Sequence, residues 1–486
     1  MRGAERLSAL DAAFVYLEND VQPLHVGSVL VFAGPAPEPG RLAAELEARL
    51  APLAWHRRHI RRMPLDLGRP VWVSSERCGL DEHLHHLDLA APGDDAALRD
   101  LVARLMVPRL AVSRPPFELW HVDGLSGGRW ALVAKVHHAL VDGASGMDLV
   151  GSLLAPPALP PGGAGWPSTG AGPGRVQGGP DPGARPRPTR VDVVLGGAGW
   201  LAALPLRAAR LTLRSLVAPR AALRRVRLVR HGLAQVVQPD LPPCVLNGPL
   251  GPGRLWGWAG APLAEVEAVG RSAGATVNDV FLAAVAGGLR GYLLERGEPL
   301  DGLVARAIVP VSGRSAGSPV RPGNVASAMF VVLPVAVARP LARLALVHGR
   351  TEEQKSRAVA DGTAAMVRAA EHVPAPLLAR AAGAYARAGQ GRVNVAASGV
   401  TGPREVCHLA GSPLLDLLPY VPVALDVRAT FALVTYAGRC TVGVTGDAAS
   451  LPDLHRLVEH VDRALRELLD APAAPAARGA DAAPEG

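Results

Sequence analysis

Lysine is nearly missing from this chain. Two residues, Lys135 and Lys355, stand against 49 arginines, and with 54 glycines and 45 prolines the net charge of +8 reads as compositional bias more than as a fit to a polyanion. Aromatic residues make up only 4%, and no basic stripe is interleaved with them, so no nucleic-acid partner is expected. The four cysteines, Cys78, Cys244, Cys407 and Cys440, lie far apart with no Cys-x-x-Cys pair. That spacing argues against a zinc site, a redox motif or a disulfide framework, and it suits a reducing cytoplasm. Long apolar runs are missing too. The longest, Val193–Leu206 and Val325–Ala338, have 14 residues each and contain proline, short of the roughly 20 that cross a bilayer. Met1–Glu18 carries no apolar core of a signal peptide.

What is present is core material for two domains: 486 residues, 49% of them hydrophobic. Residues 1–154 read as mixed strands and helices, with strands over Val26–Val31 and Trp130–Val136 and helices over Glu45–Leu53 and Ala96–Leu105. Residues 155–189 collapse into proline and glycine and are expected to form a flexible linker. A connector over 190–246 follows. Between Asp192 and Asp240 it holds eight arginines and no acid, interleaved with Leu, Val and Ala. This is either a basic amphipathic helix on an anionic membrane or a solvated helix packed on its own protein. A second compact block covers 247–470, and an Ala/Pro-rich tail over 471–486 is expected to be disordered. The fold class is therefore mixed α/β (α+β), two sheet-and-helix domains joined by a long linker.

The chemistry concentrates in Lys135-Val136-His137-His138-Ala139-Leu140-Val141-Asp142-Gly143. On a strand, neighbouring side chains point to opposite faces, so only one of His137 and His138 can face a given cavity. Gly143 permits a sharp turn, and Ser145 with Asp148 has capping-box spacing for the helix beyond. An imidazole with a reference pKa of about 6.5 offers a neutral nitrogen near pH 7, suited to take a proton from an attacking hydroxyl. Asp142 has two possible uses, to fix a histidine tautomer or to pin the loop; the turn favours the second. Paired histidines also raise a metal site, but side chains that point apart, with no suitably spaced third ligand, speak against one. Lys135 is expected to be half-buried beside the motif, where a compact ammonium fits and a guanidinium does not. The cluster His83, His85 and His86 alternates like an exposed strand and reads as structural. Ser145 lacks the second glycine of a nucleophile elbow. Further on, Thr276 and Asp279 have capping-box spacing ahead of an apolar helix over Val277–Glu295. Asn278 then sits in the first turn, among free N–H groups able to steady an oxyanion.

His137-His138 with Asp142-Gly143 resembles the HHxxxDG signature of the chloramphenicol-acetyltransferase-like acyltransferases, which condensation domains of peptide synthetases share. More of the chain narrows the resemblance. Leu7-Ser8-Ala9-Leu10-Asp11, Pro23-Leu24-His25-Val26-Gly27, Asn247-Gly248-Pro249 and Thr276-Val277-Asn278-Asp279-Val280 are similar to motifs of bacterial wax ester synthase/diacylglycerol acyltransferases. So are Glu353-Gln354-Lys355-Ser356, Gly402-Pro403-Arg404-Glu405 and Tyr436-Ala437-Gly438-Arg439. The resemblance covers nearly all of the chain outside the linker and tail. It implies two chloramphenicol-acetyltransferase-like domains around a channel and transfer of a long acyl chain from acyl-CoA to diacylglycerol or a fatty alcohol. His138 is then the general base, with direct attack by the acceptor hydroxyl. His137, Asp142 and Gly143 form the scaffold, and Asn278 takes an oxyanion or site-shaping role. Acyl-CoA enters as a donor substrate, with no tightly bound cofactor and no metal. The implied setting is cytoplasmic, peripheral at the inner membrane face or a lipid-droplet surface.

Two motifs depart from the family pattern. Pro115-Pro116-Phe117-Glu118 stands where Pro-Leu-Trp-Glu is usual, in a segment associated with the channel. Ser398-Gly399-Val400-Thr401-Gly402-Pro403 lacks the family's asparagine, and with it a side-chain amide. These departures keep two other readings open: an acyltransferase on another lipid or a carrier-tethered acceptor, and a non-catalytic lipid-binding protein of the same fold.

Overall fold

The computed structural model describes residues 5–53, 55–75, 79–141, 143–154, 241–312, 326–356, 359–388 and 391–471, with scattered positions between 213 and 230. Asp142, the linker, most of the connector and the tail beyond 471 lie outside the described residues. The first half runs β1 (Glu5–Arg6), α1 (Ala9–Leu17), β2 (His25–Phe32), α2 (Pro39–Leu50), β3 (Arg58–Arg61), β4 (Val71–Ser74), β5 (Leu84–Asp88), α3 (Asp95–Leu105), β6 (Phe117–Leu125), β7 (Arg129–His137) and α4 (Gly143–Leu153). From Arg254 follow β8 (Arg254–Pro262), α5 (Leu263–Ser272), α6 (Val277–Glu295), β9 (Ala305–Ser312), β10 (Ala326–Leu333), α7 (Pro340–Ser356), α8 (Val359–Ala370) and α9 (Ala375–Ala388). The chain closes with β11 (Val395–Thr401), β12 (His408–Leu409), β13 (Ser412–Tyr420), β14 (Ala429–Tyr436), β15 (Arg439–Asp447) and α10 (Leu454–Leu469).

Two six-stranded mixed sheets organise these elements, in the orders β12-β13-β2-β7-β6-β5 and β10-β9-β11-β14-β15-β8. The expected division at 247–470 does not hold for β12 and β13. They come from the second half yet extend the first sheet, β13 pairing antiparallel with β2 from Leu414↔Phe32 to Tyr420↔Gly27. The reason is packing. Leu414, Leu417, Leu418 and Tyr420 are buried, and they join the two cores on either side of the first sheet. Burial of that kind is worth about 25 cal/mol per Å² of apolar surface.

β7 lies at the centre of the first sheet, antiparallel to both β2 and β6. Trp130 to His137 are all buried, and the run reads as a near-continuous apolar strand for that reason. In the second half, α6 packs along α10. Gly288 makes this possible: a Cβ there would stand 2.4 Å from a Val461 methyl. The apolar stripe Leu454, Leu457, Val461, Leu465 and Leu468 of α10 faces inward, at helical spacing. Among the described residues α6 is the one helix long and apolar enough to cross a membrane, and 67% of its most apolar window is buried inside the protein.

The helix after the histidines begins at Gly143, so Ser145 stands inside its first turn and not at the N-cap position. The expected Ser145–Asp148 capping box is therefore displaced by an earlier helix start. At Thr276 the capping box is present, with Asp279 bonded back to the Thr276 backbone.

The two sheets meet closely at β13 and β15. Trp256 Nε1 donates to the Pro419 carbonyl at 3.0 Å, and a Cβ at Gly443 would fall 2.2 Å from that same oxygen. Gly443→Val should therefore lose about 1–3 kcal/mol through overpacking, read as a lower urea midpoint. An unchanged midpoint would show that the seam can open freely.

Candidate active site

The two histidines end β7 in different surroundings. His137 is fully buried and His138 half-buried. Four backbone contacts fix the turn. His137 N–H donates to Pro116 O at 3.0 Å, and His138 N–H to Leu24 O at 2.9 Å. Leu140 N–H donates to His137 O at 2.9 Å. Ala139 N–H donates to the His137 ring at Nδ1, 3.0 Å away. A backbone N–H can only donate, so His137 Nδ1 is an acceptor and its ring proton sits on Nε2. The His138 ring stacks on Phe14 of α1, with centroids 4.2 Å apart and planes at 20°.

Behind the pair lies a residue that sequence reasoning missed. Glu18, the C-cap of α1, has a side chain only 1% exposed. Its Oε1 accepts Leu24 N–H at 3.1 Å, and its Oε2 accepts Arg109 Nη2 at 3.1 Å. Oε2 also faces His137 Nε2 at 3.5 Å. Burial alone would raise this carboxyl, but His137, the Leu24 N–H and Arg109 outweigh it and hold the pKa down at about 2. His25, which pairs with His137 across β2 and β7, bonds Met106 O at 2.8 Å through Nε2. Burial holds it down at about 3, so it stays neutral. The available sequence signal was the position of Glu18, one turn after Phe14 on an amphipathic helix. A lone carboxylate at a helix end reads as solvated, which hid it.

Lys135 is fully buried, further than the half-burial expected. Its ammonium donates to Leu105 O at 2.9 Å and Pro108 O at 2.6 Å, and it lies 3.6 Å from Glu118. Burial pushes its pKa down to about 8 against the pull of Glu118 and Glu18. The altered segment Pro115–Glu118 therefore serves the site through its backbone and Glu118. The Phe117 ring is 2% exposed, stacked on His83 at 4.4 Å and edge-on to Trp55 at 5.4 Å. Among the described residues it is a core residue. His83, just ahead of β5, is buried beside it, whereas β5 is an edge strand on which His86 and Asp88 are exposed, and His86 bonds His121 of β6 at 3.2 Å, ring to ring.

Asn278 stands on the other half, second in α6. Its Oδ1 occupies the space beside Gly399 of β11, where an added Cβ would come within 2.8 Å. The missing family asparagine at 399 thus leaves room for Asn278. Asp279 beside it is buried and takes Thr351 Oγ1 at 2.7 Å and His348 Nδ1 at 3.1 Å, which pins α6 to α7. β11 in turn meets α4, the Met147 methyl lying 3.3 Å from the Cβ position of Gly402. So His137, His138, Glu18 and Lys135 form one cluster, and Asn278 stands across the α4–β11 seam. No group of three or more His, Cys, Asp or Glu side chains fit to hold a metal occurs among the described residues.

Two family models match. Residues 7–281 match the wax ester synthase/diacylglycerol acyltransferase catalytic domain, and residues 322–469 match the C-terminal domain of the same family. A probable diacylglycerol O-acyltransferase of Mycobacterium tuberculosis is 30% identical over 467 residues, 95% of each chain. The wax ester synthase/diacylglycerol acyltransferase from Marinobacter aquaeolei is similar in structure, with a TM-score of 0.64 at 25% identity over 95% of this chain and 98% of that one. The first condensation domain of the CDA synthetase shares the fold at 18% identity, with a TM-score of 0.59 over 97% of this chain and 98% of that one.

Lys135 holds two carbonyls in a space closed on every side. Lys135→Arg should lower the melting temperature by several degrees and reduce activity, since the larger guanidinium cannot enter without displacing the 105–108 turn. A variant with wild-type melting and turnover would refute that.

Proposed function

The chain belongs to the wax ester synthase/diacylglycerol acyltransferase family and is an O-acyltransferase, and from that premise we propose that it transfers a long acyl chain from acyl-CoA to the hydroxyl of diacylglycerol or a fatty alcohol. The observation that carries the assignment of roles is the unequal setting of the two histidines. His137 is buried with Nδ1 taken by Ala139 N–H, whereas His138 is half-buried on the Phe14 ring. His138 is the general base. It takes the proton from the acceptor hydroxyl as that oxygen attacks the thioester carbon. The C–O bond forms, the tetrahedral adduct collapses, the C–S bond breaks, and the proton held by His138 passes to the departing CoA thiolate. Such base catalysis contributes roughly 10²–10⁴ in rate. Asn278 and the free N–H groups of the first turn of α6 serve the oxyanion, and one such donor is worth about 10²–10³. Acyl-CoA is a substrate in this scheme, and no metal takes part.

The setting we propose is the surface of the inner membrane or a lipid droplet, from the cytoplasmic side. At the described connector positions Leu213, Leu216, Val217, Leu223 and Val226 are 57–78% exposed, and Arg220, Arg227 and Arg230 are exposed among them. Apolar side chains set among arginines suit an anionic bilayer surface.

Acyl transfer from palmitoyl-CoA to hexadecanol and to diacylglycerol tests the chemistry. His138→Ala should lose at least about 10²-fold in kcat with both acceptors, and equal rates in both proteins would remove His138 as the base. Deletion of 190–236 should abolish co-sedimentation with phosphatidylglycerol vesicles; undiminished binding would move the membrane contact elsewhere.

A further inference from the structure

We infer that Glu18 is the positioning residue of the transfer reaction: it holds His138 in place through the two backbone amides on either side of the His138 α-carbon. The inference rests on the proposed role of His138. The first amide is His138 N–H, which donates to Leu24 O at 2.9 Å. The same residue's own N–H donates to Glu18 Oε1 at 3.1 Å, so Glu18 fixes the strand end that receives His138. The second amide is Ala139 N–H, which donates to His137 Nδ1 at 3.0 Å. The far nitrogen of that ring faces Glu18 Oε2 at 3.5 Å. A third link runs through the helix. Glu18 N–H donates to Phe14 O at 3.1 Å, and the Phe14 ring carries the His138 ring. Backbone on both sides of His138 is thus referred to one carboxylate, and the Phe14 ring beneath it to the main chain of the same residue.

A carboxylate is what this place requires. Leu24 N–H, Arg109 Nη2 and His137 Nε2–H are all donors, and both carboxylate oxygens only accept. An amide in the same space turns an NH2 toward at least one of them. The Glu18 side chain is only 1% exposed, so its effect falls on the placement of the base. A misplacement of about 1 Å at a reacting group costs on the order of 10² in rate.

The test compares Glu18→Asp, Glu18→Gln and Arg109→Gln with the wild type, measuring kcat, KM for palmitoyl-CoA and hexadecanol, and the melting temperature. Glu18→Asp keeps the charge, and with it the fold, but withdraws the oxygens by one methylene; its kcat should fall at least about tenfold with both KM values within about twofold. Glu18→Gln should fall further. Arg109→Gln, which removes one half-exposed donor to Glu18 and leaves both amide links, should lose less kcat than Glu18→Asp. The acid limb of the wild-type kcat profile should not report Glu18, whose carboxyl is held down at about 2 by His137, the Leu24 N–H and Arg109. Wild-type kcat in Glu18→Asp would overturn the inference. So would a Glu18→Asp defect confined to melting temperature or KM, or equal losses of kcat in Glu18→Asp and Arg109→Gln. An inactive wild type would instead count against the proposed function.

Discussion

A carboxylate removed from water and surrounded by donors governs the arrangement around the candidate base. Desolvation of a charge costs several kcal/mol unless hydrogen bonds replace the lost water. At Glu18 the replacement comes from a backbone N–H and a guanidinium, with the His137 Nε2 facing it at 3.5 Å, and these hold it ionised. Its charge then dictates what its neighbours can be. His137 must present Nε2–H to it, which leaves Nδ1 to accept from Ala139. His25, close to the same carboxylate and to Lys135, stays neutral under burial. The two adjacent histidines differ in setting: the ring of His137 faces the carboxylate at 3.5 Å, and that of His138 stacks on Phe14.

A second constraint is that the first half of the chain does not complete its own core. β12 and β13 close the first sheet, and Tyr420 and Leu418 enter the same cluster as Val29, Val31 and Trp256. Further ties cross the seam: Glu371, between α8 and α9, accepts Ala9 N–H at the start of α1 at 2.6 Å and pairs with Arg69, and Leu425 N–H donates to Gln22 Oε1 at 3.0 Å. α1 is therefore held at its first residue by the second half and at its last by the histidine cluster. The proposed site, with His138 on one half and Asn278 on the other, would depend on such ties to keep its geometry.

Much of this was legible in the sequence where the signal is local. The apolar runs around Val133 and Val285 gave β7 and α6 nearly to the residue, because a buried strand and a buried helix differ in length. The Thr276–Asp279 cap was readable from spacing alone. Non-local facts were not readable. Ser412–Tyr420 carries no mark of which sheet it joins, since pairing partners are chosen by shape across some 390 residues. Phe117 looked like part of a channel by its motif, yet burial against His83 and Trp55 makes it core. The start of α4 was misplaced because a good N-cap residue, Ser145, lies within the helix and competes with the true start in any local reading.

The proposed direct attack is supported by the setting of the described cysteines. A thiol works as a nucleophile when its pKa is lowered by a nearby cation or a helix N-terminus. The described cysteines experience the opposite. Burial raises the Cys244 thiol, and it pushes Cys407 to about 11 and Cys440 to about 12. At neutral pH they are protonated side chains in the core, with Cys407 and Cys440 fully enclosed. His138 rests on a phenylalanine ring and its turn is fixed by backbone, with no thiolate in the arrangement to activate. A base so placed has its use in activating a hydroxyl that arrives with the acceptor, and transfer in one displacement at the thioester carbon is the chemistry this arrangement favours.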